Sequence, residues 1–178
     1  MIRMFFYILL TLFGGFFLYN NFIYAVPQSY QNNTPQLKLT SYFRDTIEAK
    51  GFLQDITGRN YNDVSVTTKG KWKGDYGNLY RYYKFNKLEN IKQKLQIKFD
   101  DSNKFMVKID GGDESYEGQQ YGNAVNLKYD LPVSYKNIRL NLQINEWFYY
   151  LGNGRLINKV VVSKFGVPLG TATITYDK

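Results

Sequence analysis

The chain has 178 residues, a net charge of +8 and neither cysteine nor histidine. That length allows one domain with a short accessory segment, and the two absences exclude disulfides, Cys/His zinc sites, His- or Cys-ligated haem, thiol nucleophiles and Ser-His-Asp triads. Hydrophobic residues at 44% against charged residues at 21% are enough to bury a core, and the aromatic share of 18% suits strands, apolar cavities and wet–dry boundaries.

Residues 1–25, MIRMFFYILLTLFGGFFLYNNFIYA, carry a single charged side chain, Arg3, ahead of an apolar run from Phe5 to Leu18. A positive start followed by an apolar stretch is the layout of an export signal. Cleavage after Ala25 would place Ile23 at the −3 position, where small residues are the rule. The alternative is an uncleaved anchor, since about 20 apolar residues span a bilayer; Asn20, Asn21 and the Gly14-Gly15 pair weaken it. Either way the positive end stays cytoplasmic and the remainder is expected across the membrane, periplasmic or anchored in the inner membrane and facing the periplasm. That placement turns the basic charge away from nucleic acid and towards phospholipid headgroups. A composition rich in Lys, Asn, Ile and Tyr is also what an AT-rich genome produces.

Residues 26–37, VPQSYQNNTPQL, contain two prolines and few apolar side chains, as a linker does. A short helix is predicted across residues 37–43. Strand signals dominate from there. Early strands are predicted at residues 46–56, 61–71 and 78–86. Leu95, Ile97 and Phe99 alternate with polar residues, as do Phe105, Val107 and Ile109, and the Asp101-Ser102-Asn103-Lys104 turn joins them into a hairpin. A further strand is predicted through residues 117–129. Ile138, Leu140, Leu142 and Ile144 give the clearest alternation, and Gly152-Asn153-Gly154 turns into a strand over residues 156–163. The segment from Val167 to Gly170 turns into the last strand, residues 171–176. About eight to nine strands at 8–12-residue spacing, without a βαβ pattern, predict an antiparallel sandwich or barrel behind an N-terminal hydrophobic helix. A closed meander of about eight strands holds side chains or one small ligand, as in lipocalins.

Several constellations could carry function. Residues 69–94 hold eight basic side chains against Asp75 and Glu89, a net six of the chain's +8, interleaved with aromatics. Such a stretch fits phosphate-bearing headgroups; the alternative is a solvated hairpin whose lysine stems cover the barrel's outside. Leu79, Arg81, Tyr83 and Phe85 share one face of their strand. An arginine among apolar neighbours needs a partner. If that face is internal, Arg81 either anchors a ligand's carboxylate or phosphate or pairs internally, for example with Glu146 or Glu117. Trp147, beside Phe148, Tyr149 and Tyr150, is read as closing one end of the barrel, lining its cavity or packing in the core, with Glu146 as its outward or rim neighbour. Asp110, Asp113, Glu114 and Glu117 lack the spacing of a calcium loop and read as a solvated turn. Gly118, Gly122, Gly166 and Gly170 suit bulges or close approaches.

Three segments carry a family likeness: YEGQQYGNAVNLKYDLPV (116–133), NEWFYYLGNGRLINKVVVSKFG (145–166) and VPLGTATITYDK (167–178). The order Tyr-x-Gly, Gly-Asn-Ala, an acidic residue before Trp, Lys-Phe-Gly and a closing Gly-x-x-x-x-x-aromatic strand resembles the bacterial family called domain of unknown function 3833, usually labelled lipoproteins. The likeness covers residues 38–178 and is strongest after Tyr116. It implies a lipocalin-like barrel at the cell envelope and no established activity. The family usually begins with a lipobox cysteine, which this chain lacks, so any tether must be the N-terminal segment. The family's Arg-x-Trp of an early strand has Arg81-x-Tyr83 as its nearest counterpart here.

The expectation is an exported lipocalin-like barrel over residues 38–178 that binds or carries an apolar or lipid-like ligand, with Arg81, Tyr83, Tyr116, Tyr121 and Trp147 as lining residues. Arg81 would hold the polar head and the aromatics would enclose the tail. No cofactor, metal or nucleic-acid partner is expected. Two rivals remain: a structural or assembly module acting through protein contacts, and a small enzyme of lipid-like substrates. An open pocket above about 300 Å³ separates ligand binding or catalysis from a filled barrel.

Overall fold

The computed structural model describes residues 25–100, 103–135 and 138–178. Ten antiparallel strands close into a barrel in which each strand pairs with its sequence neighbours and β1 closes against β10. They are β1 (Thr46–Asp55), β2 (Asn60–Lys73), β3 (Tyr76–Phe85), β4 (Ile91–Phe99), β5 (Lys104–Ile109), β6 (Ser115–Tyr121), β7 (Ala124–Tyr135), β8 (Ile138–Gly152), β9 (Arg155–Lys164) and β10 (Val167–Asp177). The count exceeds the eight to nine expected because residues 117–129 are two strands. Gly122, at φ +51, turns the chain there, and Gly118–Tyr121 pairs back onto Ala124–Leu127. A four-residue helix, α1 (Leu39–Tyr42), falls inside the predicted 37–43 segment. Among the described residues no helix is long and apolar enough to cross a membrane, and the expected N-terminal helix lies outside the described residues.

The period-2 alternation decides which side chains fill the barrel. Ile47 and Ala49 on β1, Val64, Val66 and Thr68 on β2, Leu95 and Ile97 on β4, and Leu127 and Tyr129 on β7 all face inward and are buried. Their neighbours Lys50, Ser65, Lys69, Lys92 and Lys128 face out and are exposed.

One end of the barrel is plugged. The chain enters alongside β6 and β7, with Tyr30 against Trp147 and Tyr149 at ring separations of 5.7 Å. The Leu37 amide donates to the Gly122 carbonyl at 2.8 Å, and the Leu39 amide donates to Gln120 Oε1 at 3.1 Å. These bonds deliver α1 across the barrel end. Phe43, fully buried, meets Tyr42, Phe148 and Tyr176 edge to face at 5.0–5.9 Å. Burying one such ring stabilises the fold by about 1.5–3 kcal/mol. Gly70 and Gly77 make room for the plug: a Cβ at Gly70 would overlap the Phe43 carbonyl, and one at Gly77 would overlap the Trp72 ring. Trp72 Nε1 donates to that same carbonyl at 3.2 Å. The segment read as a linker, residues 26–37, thus lies against the barrel, and Leu37 belongs to its core.

The other end carries the turns β1–β2, β3–β4, β5–β6 and β9–β10. Strands β5 and β6 stop short of it. Ile109 at the end of β5 pairs with Leu95, while β4 continues four residues further to Ile91, a difference of roughly 13 Å at 3.3 Å per residue. This low section leaves the upper wall between β4 and β7 without intervening strands. The acidic turn of Asp110, Asp113 and Glu114, exposed to solvent, sits at the foot of that gap.

Candidate functional site

Arg81 on β3 and Glu146 on β8 face each other across the lumen. Five strand steps separate them in either direction around the ten-strand barrel. Arg81 Nη1 donates to Glu146 Oε1 at 2.7 Å, and both side chains are 1% exposed. Further donors converge on the carboxylate: Asn158 Nδ2 at 3.0 Å to Oε1 and the Tyr129 hydroxyl at 3.3 Å to Oε2. Arg81 Nη2 and Gln93 Nε2 each donate to the Tyr129 oxygen at 3.4 Å. A buried charge pair needs this many hydrogen bonds to offset its desolvation. Burial by itself opposes the Arg81 charge, yet Glu146, Tyr83 and Tyr129 together more than reverse this, and Arg81 is held well above its ordinary value. Burial, then Glu146, pushes the Tyr129 phenol up. Burial also raises Tyr83, against the opposing pull of Arg81.

This brace divides the interior. On the plugged side, Leu79, Leu95, Phe105, Val107, Phe148, Leu156 and Tyr176 pack with Phe43 into the core. On the open side lies a cavity of about 260 Å³, just under the roughly 300–1,000 Å³ range of ordinary small-molecule sites. Its walls are apolar: Leu53, Val64, Phe85, Ile91, Leu131, Leu142, Ile144, Val160, Val162, Ala172 and Ile174. Its polar side chains are few. Tyr83, Gln93, Tyr129 and Glu146 line it at the level of the brace, and Tyr61 and Glu89 line it at the mouth. Gln93 is buried, and its Oε1 has no hydrogen-bond partner, nor do Arg81 Nε and Asn158 Oδ1. The arrangement is a blind apolar cup with a polar floor.

The five residues singled out in the sequence lie in different places. Tyr83 lines the cavity. Arg81 forms the brace and is not part of the wall; its guanidinium lies 5.8 Å from the Tyr83 ring centroid. Tyr116 on β6 contacts the Tyr129 ring at 6.4 Å and donates to Glu114 Oε2 at 3.0 Å, below the cavity's lining. Tyr121 ends β6 beside the plugged end. Trp147 is on the outer face, stacked on Tyr149 at 5.6 Å. The expected orientation of the Glu146-Trp147 pair is thereby corrected: Glu146 points in and Trp147 out. The alternation that turns Leu142 and Ile144 inward carries on to Glu146 and Phe148. The same rule would have found Gln93, two residues before Leu95, and Tyr129, two after Leu127.

Of the basic residues in 69–94, Arg81 alone turns into the barrel. Lys69, Lys71, Lys73, Lys84, Lys87 and Lys92 are exposed and Lys94 is half-buried. Lys71 lies over the Tyr80 ring at 5.6 Å. Among the described residues no group of three carboxylates gathers as a metal site.

The fold is shared with a solved structure. The S-type phycobiliprotein lyase CPES from Guillardia theta superposes with a TM-score of 0.56 at 9% identity, over 87% of this chain and 98% of that one. At that identity the likeness is one of fold. No curated protein sequence matches the chain. Residues 16–178 match the family described as "Protein of unknown function (DUF3833)". With the match spanning most of its length, the chain belongs to that family of proteins of unknown function.

Proposed function

We propose that the barrel binds and carries one apolar, lipid-like molecule at a membrane. The carrying observation is the blind apolar cavity closed below by the Arg81–Glu146 brace. Apolar walls with a few fixed polar groups are the usual form of a small-ligand site. The barrel fold itself is shared with a phycobiliprotein lyase. The apolar N-terminal sequence supports the membrane setting.

The floor also selects the head group. Arg81 is already neutralised by Glu146, so it acts as a brace under the site and not as an anchor for an acid. What faces the cavity is the Glu146 carboxylate, the Tyr83 and Tyr129 phenols and a Gln93 amide with one unpaired polar atom. Of the pair only Glu146 lines the cavity, so a carboxylate or phosphate head would meet its oxygens before the guanidinium behind them. A neutral hydroxyl or amide head satisfies Gln93 without that repulsion. The reading therefore takes a single-chain molecule with a neutral polar end.

Displacement of a fluorescent acyl probe tests it. A fatty alcohol or fatty amide is expected to compete better than the fatty acid of equal length. Filling the wall with Ala172→Trp is expected to abolish binding while the barrel stays folded. Equal binding by the filled variant, or a fatty acid that outcompetes the alcohol, contradicts the reading.

A further inference from the structure

The turns around the open end carry large apolar side chains in full solvent. Phe165 in the β9–β10 turn is 87% exposed, and Ile56 in the β1–β2 turn is 74% exposed. Leu88 in the β3–β4 turn also lines the cavity mouth, so this patch is continuous with the cavity entrance. Leu151 and Tyr76 are exposed at the plugged end as well, but the two most exposed large apolar side chains among the described residues, Phe165 and Ile56, are both at this rim, and such groups mark a contact surface.

The β9–β10 turn argues that Phe165 is there for a reason. Lys164 pairs with Val167, and the two residues between them have φ of +51 (Phe165) and +77 (Gly166), the pattern of a tight hairpin turn with two left-handed residues. Asn, Asp or Gly fit its first position without strain, whereas a bulky ring there is disfavoured. The chain accepts both an uncomfortable backbone and a fully wetted ring.

Basic groups lie beside two of these tips: Lys164 Nζ is 4.6 Å from the Phe165 ring centroid and donates to the Asn141 carbonyl at 2.7 Å, and exposed Lys87 precedes Leu88, with exposed Glu89 on its other side. Arg59 follows Ile56 in its turn, paired with Asp55 at 3.1 Å. Apolar tips ahead of basic groups is the layering of a bilayer interface, where acyl chains lie beneath anionic phosphates. The acidic β5–β6 turn is set back, because β5 and β6 are short.

We propose that the open rim docks on an anionic phospholipid bilayer, inserting Phe165, Ile56 and Leu88 and placing Lys164 and Lys87 at the phosphates. This rests on the reading of the cavity as an apolar-ligand site, and it makes the mouth the point of exchange between bilayer and barrel.

The test uses the full chain reconstituted in vesicles of phosphatidylcholine with phosphatidylglycerol, with a Phe165→Trp reporter. Residue 165 is at an exposed turn tip, so the substitution leaves the core untouched. Phospholipid brominated in its acyl chains is supplied either in the vesicle that carries the chain or in added vesicles. In at least one arrangement the reporter's emission is expected to shift to the blue and to be quenched several-fold more than that of the native Trp72 and Trp147. Adding Lys164→Gln is expected to lower the docked fraction about fivefold, the share of one basic residue near an anionic surface. A reporter that stays water-exposed and unquenched in both arrangements overturns the proposal, as does equal quenching on phosphatidylcholine alone. Fluorescent ligand retained in the cavity is read in the same samples. Retention without quenching overturns the docking alone, while quenching without retention overturns the cavity reading and leaves the docking.

Discussion

Arg81 and Glu146 meet at 2.7 Å from strands on opposite sides of the barrel, so one ion pair spans the lumen. The pair separates a packed half, closed by α1, from a hollow half that opens at the far end. Arg81 donates to Glu146 and Tyr129, Glu146 also accepts from Tyr129 and Asn158, and among the described residues Arg81 Nε is left without a partner.

Breaking the pair from one side leaves a buried charge unmatched. Arg81→Met alone is expected to destabilise the barrel by about 3–5 kcal/mol, and Glu146→Leu by a similar amount. The double variant should recover most of the loss, because no charge remains to be desolvated. Urea denaturation of the four proteins checks this. Simple additivity of the two single losses would show that the charges do not interact.

The buried phenols set an alkaline limit. Burial pushes Tyr176 up to about 12, with Thr68 bonding its hydroxyl and Arg81 nearby pulling the other way. Tyr83 and Tyr129 are raised as well. A phenol whose folded value lies above its unfolded value of 10 keeps its proton in the barrel while the unfolded chain gives its own up. Stability is then intact below pH 10 and falls as pH rises towards 12. Tyr176 alone should remove roughly 2–3 kcal/mol across that window. Tyrosinate absorbance followed against pH, alongside circular dichroism, should show a late class of tyrosines that ionise only as the fold is lost. Smooth titration of all 17 tyrosines near pH 10 with the fold intact would contradict it.

Gly118 admits a ring. A Cβ there would overlap Phe105, which is packed in the core below the brace. Gly118→Ala is expected to destabilise by about 1–3 kcal/mol through overpacking. Phe105→Leu in the Gly118→Ala background should return part of that loss, although Phe105→Leu alone is destabilising. Thermal unfolding of the three variants decides it.

Much of this architecture is legible in the sequence. The alternation from Ile138 to Ile144 identifies β8 and, carried two residues further, puts Glu146 inside and Trp147 outside. A rim position for Glu146 suits its charge but not its parity, and the parity decides. The face of Leu79, Arg81, Tyr83 and Phe85 points inward as the period requires, and Glu146 was among the partners foreseen for Arg81. The merging of β6 with β7 arose because Gly122-Asn123 is a minimal turn inside a continuous run of strand formers. The cavity itself is not legible. It depends on β5 and β6 stopping short and on the plug occupying only one end, which are properties of closure and register across the whole barrel. Tyr121 and Trp147 looked like lining residues because aromatics suit cavities, but aromatics equally serve to seat the N-terminal segment, and Trp147 does so through Tyr30.

The hollow half of the barrel is expected to hold a ligand. Native mass spectrometry of the full chain purified from its own cells, with lipid extraction of the same sample, is the direct test. One discrete bound mass per chain is expected, a neutral single-chain lipid on extraction, absent from the Ala172→Trp variant. A clean apo mass from folded protein, or a bound mass that the filled variant retains, would contradict it and favour a barrel that acts through protein contacts.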